Sequence, residues 1–184
     1  MKRLLISSLW SVVAAPAWSQ GYIAFGNFNL PAGIDAPVFD TDCQTRLEGT
    51  AFLAQDYVGF TADSLSPLGP VVTFRTGEAA GYIVPYAIEV PGSGQKDVVY
   101  TQMRSWEARG GPTYEAAVAS GAKHERSNVV PIAIALPPGP PNDPVGLERF
   151  CLIPEPSPAT LGWLAAALLA LSATRRPHTR STPG

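Results

Sequence analysis

Asp97-Val98-Val99-Tyr100-Thr101-Gln102-Met103-Arg104-Ser105-Trp106-Glu107 is the longest strand candidate in this chain of 184 residues. Successive side chains of an extended chain point to opposite sides. Val98, Tyr100, Gln102, Arg104 and Trp106 therefore share one face, and Val99, Thr101, Met103 and Ser105 share the other. Turn formers bracket the stretch, with Pro91-Gly92-Ser93-Gly94 before it and Gly110-Gly111-Pro112 after it.

The flanking sequence repeats this pattern on a shorter scale. Upstream, Gly21 to Phe28, Ala36 to Phe39, Thr50 to Phe60 and Val71 to Arg75 read as strands, with Asp63 to Gly69 as a loop. Gly81 to Val90 is strand-like, but Pro85 inside it implies an edge strand or two pieces. Downstream, Thr113 to Ser120 predicts a short helix, capped by Thr113, filled by Ala116, Ala117 and Ala119, and stopped by Gly121. Asn128 to Leu136 alternates Val130, Ile132, Ile134 and Leu136 as a further strand, and Leu147 to Ile153 reads as the last. Many short strands between Gly and Pro turns predict an all-β domain, sandwich or jelly-roll-like, with one short helix, over residues 20–153.

The two ends read differently. Lys2 and Arg3 precede the apolar stretch Leu4 to Ala15, and Ala17-Trp18-Ser19 fits a small-x-small cleavage site. Residues 1–19 are thus expected to be a secretory signal peptide, cut after Ser19 or after Ala17, with a retained N-terminal anchor as the other reading. At the far end Ala159 to Ala173 carries no charge and is rich in Ala and Leu, which favours a helix. Its 15 residues would span about 22 Å at about 1.5 Å each, short of the roughly 30 Å of a bilayer core. Snorkelling of Arg175 and Arg176 would help close that gap. The same pair should hold its end of the helix in the cytoplasm. A transmembrane helix over residues 159–173 is therefore expected, as part of a sorting device, with a plain C-terminal membrane anchor or a buried apolar helix as the alternatives to that sorting role.

Eight basic residues face fourteen acidic ones in the body, so it carries about −6, while the other five basic residues sit in the two ends. Such a surface argues against nucleic acid or anionic lipid as a partner of the body. Cys43 and Cys151 are the only cysteines. Export permits them to bond, which would tie the start of the domain to its last strand, and two separate buried thiols are the alternative.

The order Pro154-Glu155-Pro156, apolar run, Arg175-Arg176 resembles the PEP-CTERM sorting signal of Gram-negative bacteria. The resemblance covers residues 154–184 and implies a recognition box at 154–156, the helix at 159–173 and a basic tail at 175–184. It further implies processing by an exosortase, a membrane protease-transpeptidase, after transient residence in the inner membrane, and delivery to the cell surface or extracellular matrix. The extension from Pro177 to Gly184 departs from family tails that end soon after the arginines. The body also resembles proteins carrying the same tail. The pieces are Asp35 to Asp40, Gly49 to Gln55, Phe74 to Gly77, Arg104 to Ala108 and Thr113 to Ala117, and this likeness supplies no catalytic residues.

Chemistry is sparse. His124 is alone in the body and reads as a solvated loop residue, while His178 lies in the tail. Asp35, Asp40 and Asp42 do not follow EF-hand spacing and read as turn-capping carboxylates. Glu107 and Glu115 could form a glycosidase-like pair only if the fold set their separation. There is no nucleophile-elbow motif and no phosphate-binding glycine loop. The expectation is a non-enzymatic protein without metal or cofactor, serving as a structural or matrix component. The alternative is a module binding exopolysaccharide through Tyr100, Arg104 and Trp106, against which stands a Trp106 buried in the core with Arg104 capping it or pairing with an acid.

Overall fold

The computed structural model describes residues 20–94 and 97–153. The signal peptide, the Pro154-Glu155-Pro156 box, the apolar run and Arg175-Arg176 all lie outside the described residues.

The described chain is mostly β-sheet with one short α-helix. Its strands are β1 (Gly21–Phe25), β2 (Phe28–Asn29), β3 (Ile34–Asp35), β4 (Val38–Phe39), β5 (Gly49–Gly59), β6 (Ser66–Phe74), β7 (Tyr86–Val90), β8 (Val98–Glu107), β9 (His124–Arg126), β10 (Val130–Ala133) and β11 (Phe150–Cys151). The helix α1 is Tyr114–Ser120. No helix among the described residues is long and apolar enough to cross a membrane.

β8, the stretch that dominates the sequence, is the centre of the main sheet. It pairs antiparallel with β5 on one side, and with β10 and then β9 on the other. β6 adds to the outer edge of β5. The alternation along β8 decides what each face does. Val99 and Met103 point into the main core with Ala54 and Val58 of β5, where Ile23 and Phe25 of β1 and Ile88 and Val90 of β7 meet them. β1 and β7 form their own antiparallel ribbon, Ile23 opposite Ile88, against that face. On the other face Tyr57 and Trp106 pack with Tyr114 and Ala117 of α1.

The helix forms where the sequence places it. The Thr113 hydroxyl accepts from the Ala116 amide at 3.2 Å, and Gly121 closes the helix at φ 68°, a left-handed conformation that glycine adopts without a Cβ clash.

Two expectations are corrected. Asp63 to Gly69 is only partly loop, because Ser66 to Phe74 is one strand. Pro67 and Pro70 are tolerated there because β6 is an edge strand, whose outer side donates to no neighbour. His124 is not a loop residue either. It lies in β9 opposite Trp106, with its ring edge-on to Tyr114 at 5.5 Å and Nδ1 2.8 Å from the Ala122 carbonyl. Pro85 splits its segment as expected, leaving β7 and a single bridge from Ile83 to Phe74.

The end of the body is tied down. β11 pairs parallel with β4, and Cys151 is disulfide-bonded to Cys43 across a separation of 108 residues, with a Cα–Cα distance of 5.2 Å. Ile153 exchanges backbone hydrogen bonds with His124 at 3.1 and 3.3 Å. Nearby, Lys123 Nζ lies 2.8 Å from Asp40 Oδ1.

Candidate functional site: a cleft around Arg104

Period-2 alternation puts Gln102, Arg104 and Trp106 of β8 in one row, and Leu53, Gln55 and Tyr57 of β5 in the row beside it. Helix α1 covers the Trp106 end of this face. Beyond the helix the face opens into a polar cleft of about 500 Å³, lined by Asp63, Leu65, Gln102, Arg104, Arg126 and Asn128 among others.

Arg104 is the fixed point of the site. Its guanidinium carbon lies 3.8 Å from the centroid of the Tyr57 ring and 5.1 Å from that of Tyr114. Nε donates to Gln102 Oε1 at 3.1 Å, and Nη1 is 3.6 Å from Glu115 Oε1. Gln102 is held in turn, its amide donating to the Ser127 carbonyl at 2.9 Å. The Tyr57 hydroxyl donates to the same Glu115 oxygen at 2.8 Å. Burial, reinforced by the Glu115 carboxylate, pushes the Tyr57 phenol well above its usual range. Tyr114 is raised too, first by burial and then by the nearby Glu125. Both rings are therefore neutral faces for the cation. The Arg104 side chain keeps 17% of its surface exposed, so the guanidinium is braced yet still reaches the cleft.

The structure separates the three residues of the alternative glycan face and bears out the reading set against it, a Trp106 in the core with Arg104 paired to an acid. Trp106 is fully buried, with Nε1 donating to the Gly111 carbonyl at 3.0 Å and its ring edge-on to Tyr114. A buried indole offers no plane to a sugar ring, so Trp106 acts as core and the proposed stacking platform is absent. Tyr100 is half-buried between Gly59 and Pro131 on the neighbouring strands, away from the cleft lining. Only Arg104 reaches the cleft. Alternation along β8 already puts Gln102 beside Arg104, whereas Tyr57 and Arg126 are brought in by pairing between strands and carry no local signal of the site.

The remaining candidates resolve individually. Glu107 pairs with Arg109 at 2.8 Å, while Glu115 serves Tyr57 and Arg104, so each carboxylate has its own partners. Asp42 caps its turn, accepting from the Gln44 and Thr45 amides and the Thr45 hydroxyl. These bonds, the Thr45 hydroxyl foremost, pull its carboxyl down to about 2. Asp40 binds Lys123, and Asp35 accepts from the Tyr82 hydroxyl. Among the described residues no group of three or more His, Cys, Asp or Glu side chains could hold a metal ion.

Compared with protein-family models, curated proteins and solved structures, the chain finds no match.

Proposed function

We propose that this chain is an exported protein carrying a PEP-CTERM sorting signal. A signal peptide over residues 1–19 directs export, and a transmembrane helix over 159–173 holds the chain briefly in the inner membrane. An exosortase-type membrane protease-transpeptidase then recognises Pro154, Glu155 and Pro156, with Arg175 and Arg176 as the stop. Residues 20–153 are delivered to the cell surface or extracellular matrix as a non-enzymatic structural or matrix domain.

The observation that carries this reading is the three-part order Pro-Glu-Pro, uncharged apolar run, arginine pair in one short stretch. Two features of the body support it. The Cys43–Cys151 disulfide suits an oxidising compartment outside the cytoplasm. Ile153, the residue before the box, is bonded through its backbone to His124 of β9, so cleavage at the box would leave these contacts of the body in place. The packing of the β1–β7 ribbon on the five-stranded sheet also supports a sandwich-like domain.

Deleting residues 154 to 176 tests the proposal. The body should then appear in the medium or periplasm in altered form, and unchanged surface retention would overturn it.

A further inference from the structure

The cleft beside Arg104 holds a charge arrangement that folding alone does not favour. Arg104 and Arg126 stand directly opposite each other on paired antiparallel strands, and both line the cleft. Like charges in that relationship oppose pairing. Glu115 offsets Arg104 from 3.6 Å, but no described carboxylate forms an ion pair with the exposed guanidinium of Arg126. This pair of cations sits in a body where acidic residues outnumber basic ones by fourteen to eight.

We propose that the cleft binds a uronic acid residue of an acidic polysaccharide, its carboxylate between the guanidinium groups of Arg104 and Arg126 and its hydroxyls toward Asp63. The inference goes beyond the sorting signal and does not rest on it.

Guanidinium forks match planar oxyanions, which fits carboxylate and phosphate alike. Asp63 favours the less charged of the two. It lines the same cleft without an ion-pair partner among the described residues. It would repel a phosphate monoester of charge near −2 more strongly than a single carboxylate, and it can accept hydrogen bonds from sugar hydroxyls. A single carboxylate flanked by hydroxyls satisfies both ends of the site, and a uronic acid has that composition. An acidic peptide fits less well. β8 is paired along both sides, so the cleft floor offers no free strand edge to a peptide backbone. Arg104 is already immobilised by Tyr57, Gln102 and Glu115, which lowers the ordering cost of binding. The cleft volume of about 500 Å³ lies within the range of small-ligand sites.

The test is direct titration of the full chain, in non-ionic detergent, with a galacturonic acid hexamer and with its carboxyl-reduced counterpart. The acidic hexamer should bind, the reduced one should not, and added salt should weaken binding. Arg126→Gln, at an exposed side chain, should weaken binding about tenfold or more, whereas Arg75→Gln, also exposed but outside the cleft, should leave it unchanged. No binding of the acidic hexamer, or equal loss in both variants, would overturn the site. Displacement of the hexamer by polyglutamate or inorganic phosphate as effectively as by unlabelled hexamer would overturn the uronic acid assignment.

Discussion

The guanidinium carbon of Arg104 lies 3.8 Å from the centre of the Tyr57 ring, and the Tyr57 hydroxyl donates to the carboxylate of Glu115, which also faces Arg104. Cation, ring and acid thus form a closed triangle joining β8, β5 and α1. Because the guanidinium is mostly buried, its attraction to the ring is stronger than at an exposed site, about 1–2 kcal/mol. Arg104→Ala should lower unfolding stability by roughly that amount or somewhat more, as packing is lost with the charge. Arg104→Lys should recover little of it, since an ammonium can neither stack in the plane nor reach Gln102 and Glu115 together. Urea unfolding of the three proteins reads this, and full recovery by lysine would contradict the stacking account.

Trp106 separates a core role from a surface one. It is buried against Tyr114 and hydrogen-bonded to Gly111. Trp106→Ala should cost about 3–5 kcal/mol in urea unfolding. A surface ring would cost within about 0.5 kcal/mol.

The disulfide closes a separation of 108 residues. On the chain-entropy model a loop near that size contributes about 4.7 kcal/mol, and measured removals fall at roughly 2–5 kcal/mol. Cys43→Ser with Cys151→Ser should therefore lose a few kcal/mol. Parallel loss of amide protection at Cys151 to Ile153 under hydrogen exchange would place the effect at the tied C-terminal strand.

Asp56 predicts the pH dependence. It is fully buried at the centre of the main sheet, its Oδ1 accepting from the Thr101 hydroxyl and its Oδ2 without a partner among the described residues. Burial raises its carboxyl from 3.8 to about 8, against the opposing hydrogen bonds from Thr101 and the backbone. The folded value is above the unfolded one, so the folded state holds a proton that the unfolded state releases. This contribution to stability is fully present below about pH 4 and is lost progressively as pH rises to about 8. Asp56→Asn should leave stability near pH 4 little changed and raise it by a few kcal/mol at pH 8. Melting temperatures across that range check the sign, and a variant less stable at pH 8 than at pH 4 by as much as the parent would contradict it.

Much of the fold is legible in local sequence, for reasons that particular residues make plain. β8 is readable because its alternation is long, and α1 because Thr113 and Gly121 mark both ends chemically. β6 is hidden because Pro67, Gly69 and Pro70 signal a turn in isolation, and only its position at a sheet edge makes them acceptable. β9 is hidden because His124, Glu125 and Arg126 carry no apolar period, and β8 supplies their pairing. The cleft was the least legible part. Arg104 can be singled out, but its ring partners Tyr57 and Tyr114 come from distant segments, and alternation alone does not tell a surface platform from the core position that Trp106 takes.

The central claim concerns processing, and the intact mass of the mature protein from cell envelope and culture medium tests it most directly. The account predicts a chain that begins at Gln20 and ends near Pro154, with any added mass at that new end reporting its attachment. A mass that retains residues 159 to 184 would make the tail a permanent anchor and contradict the exosortase reading.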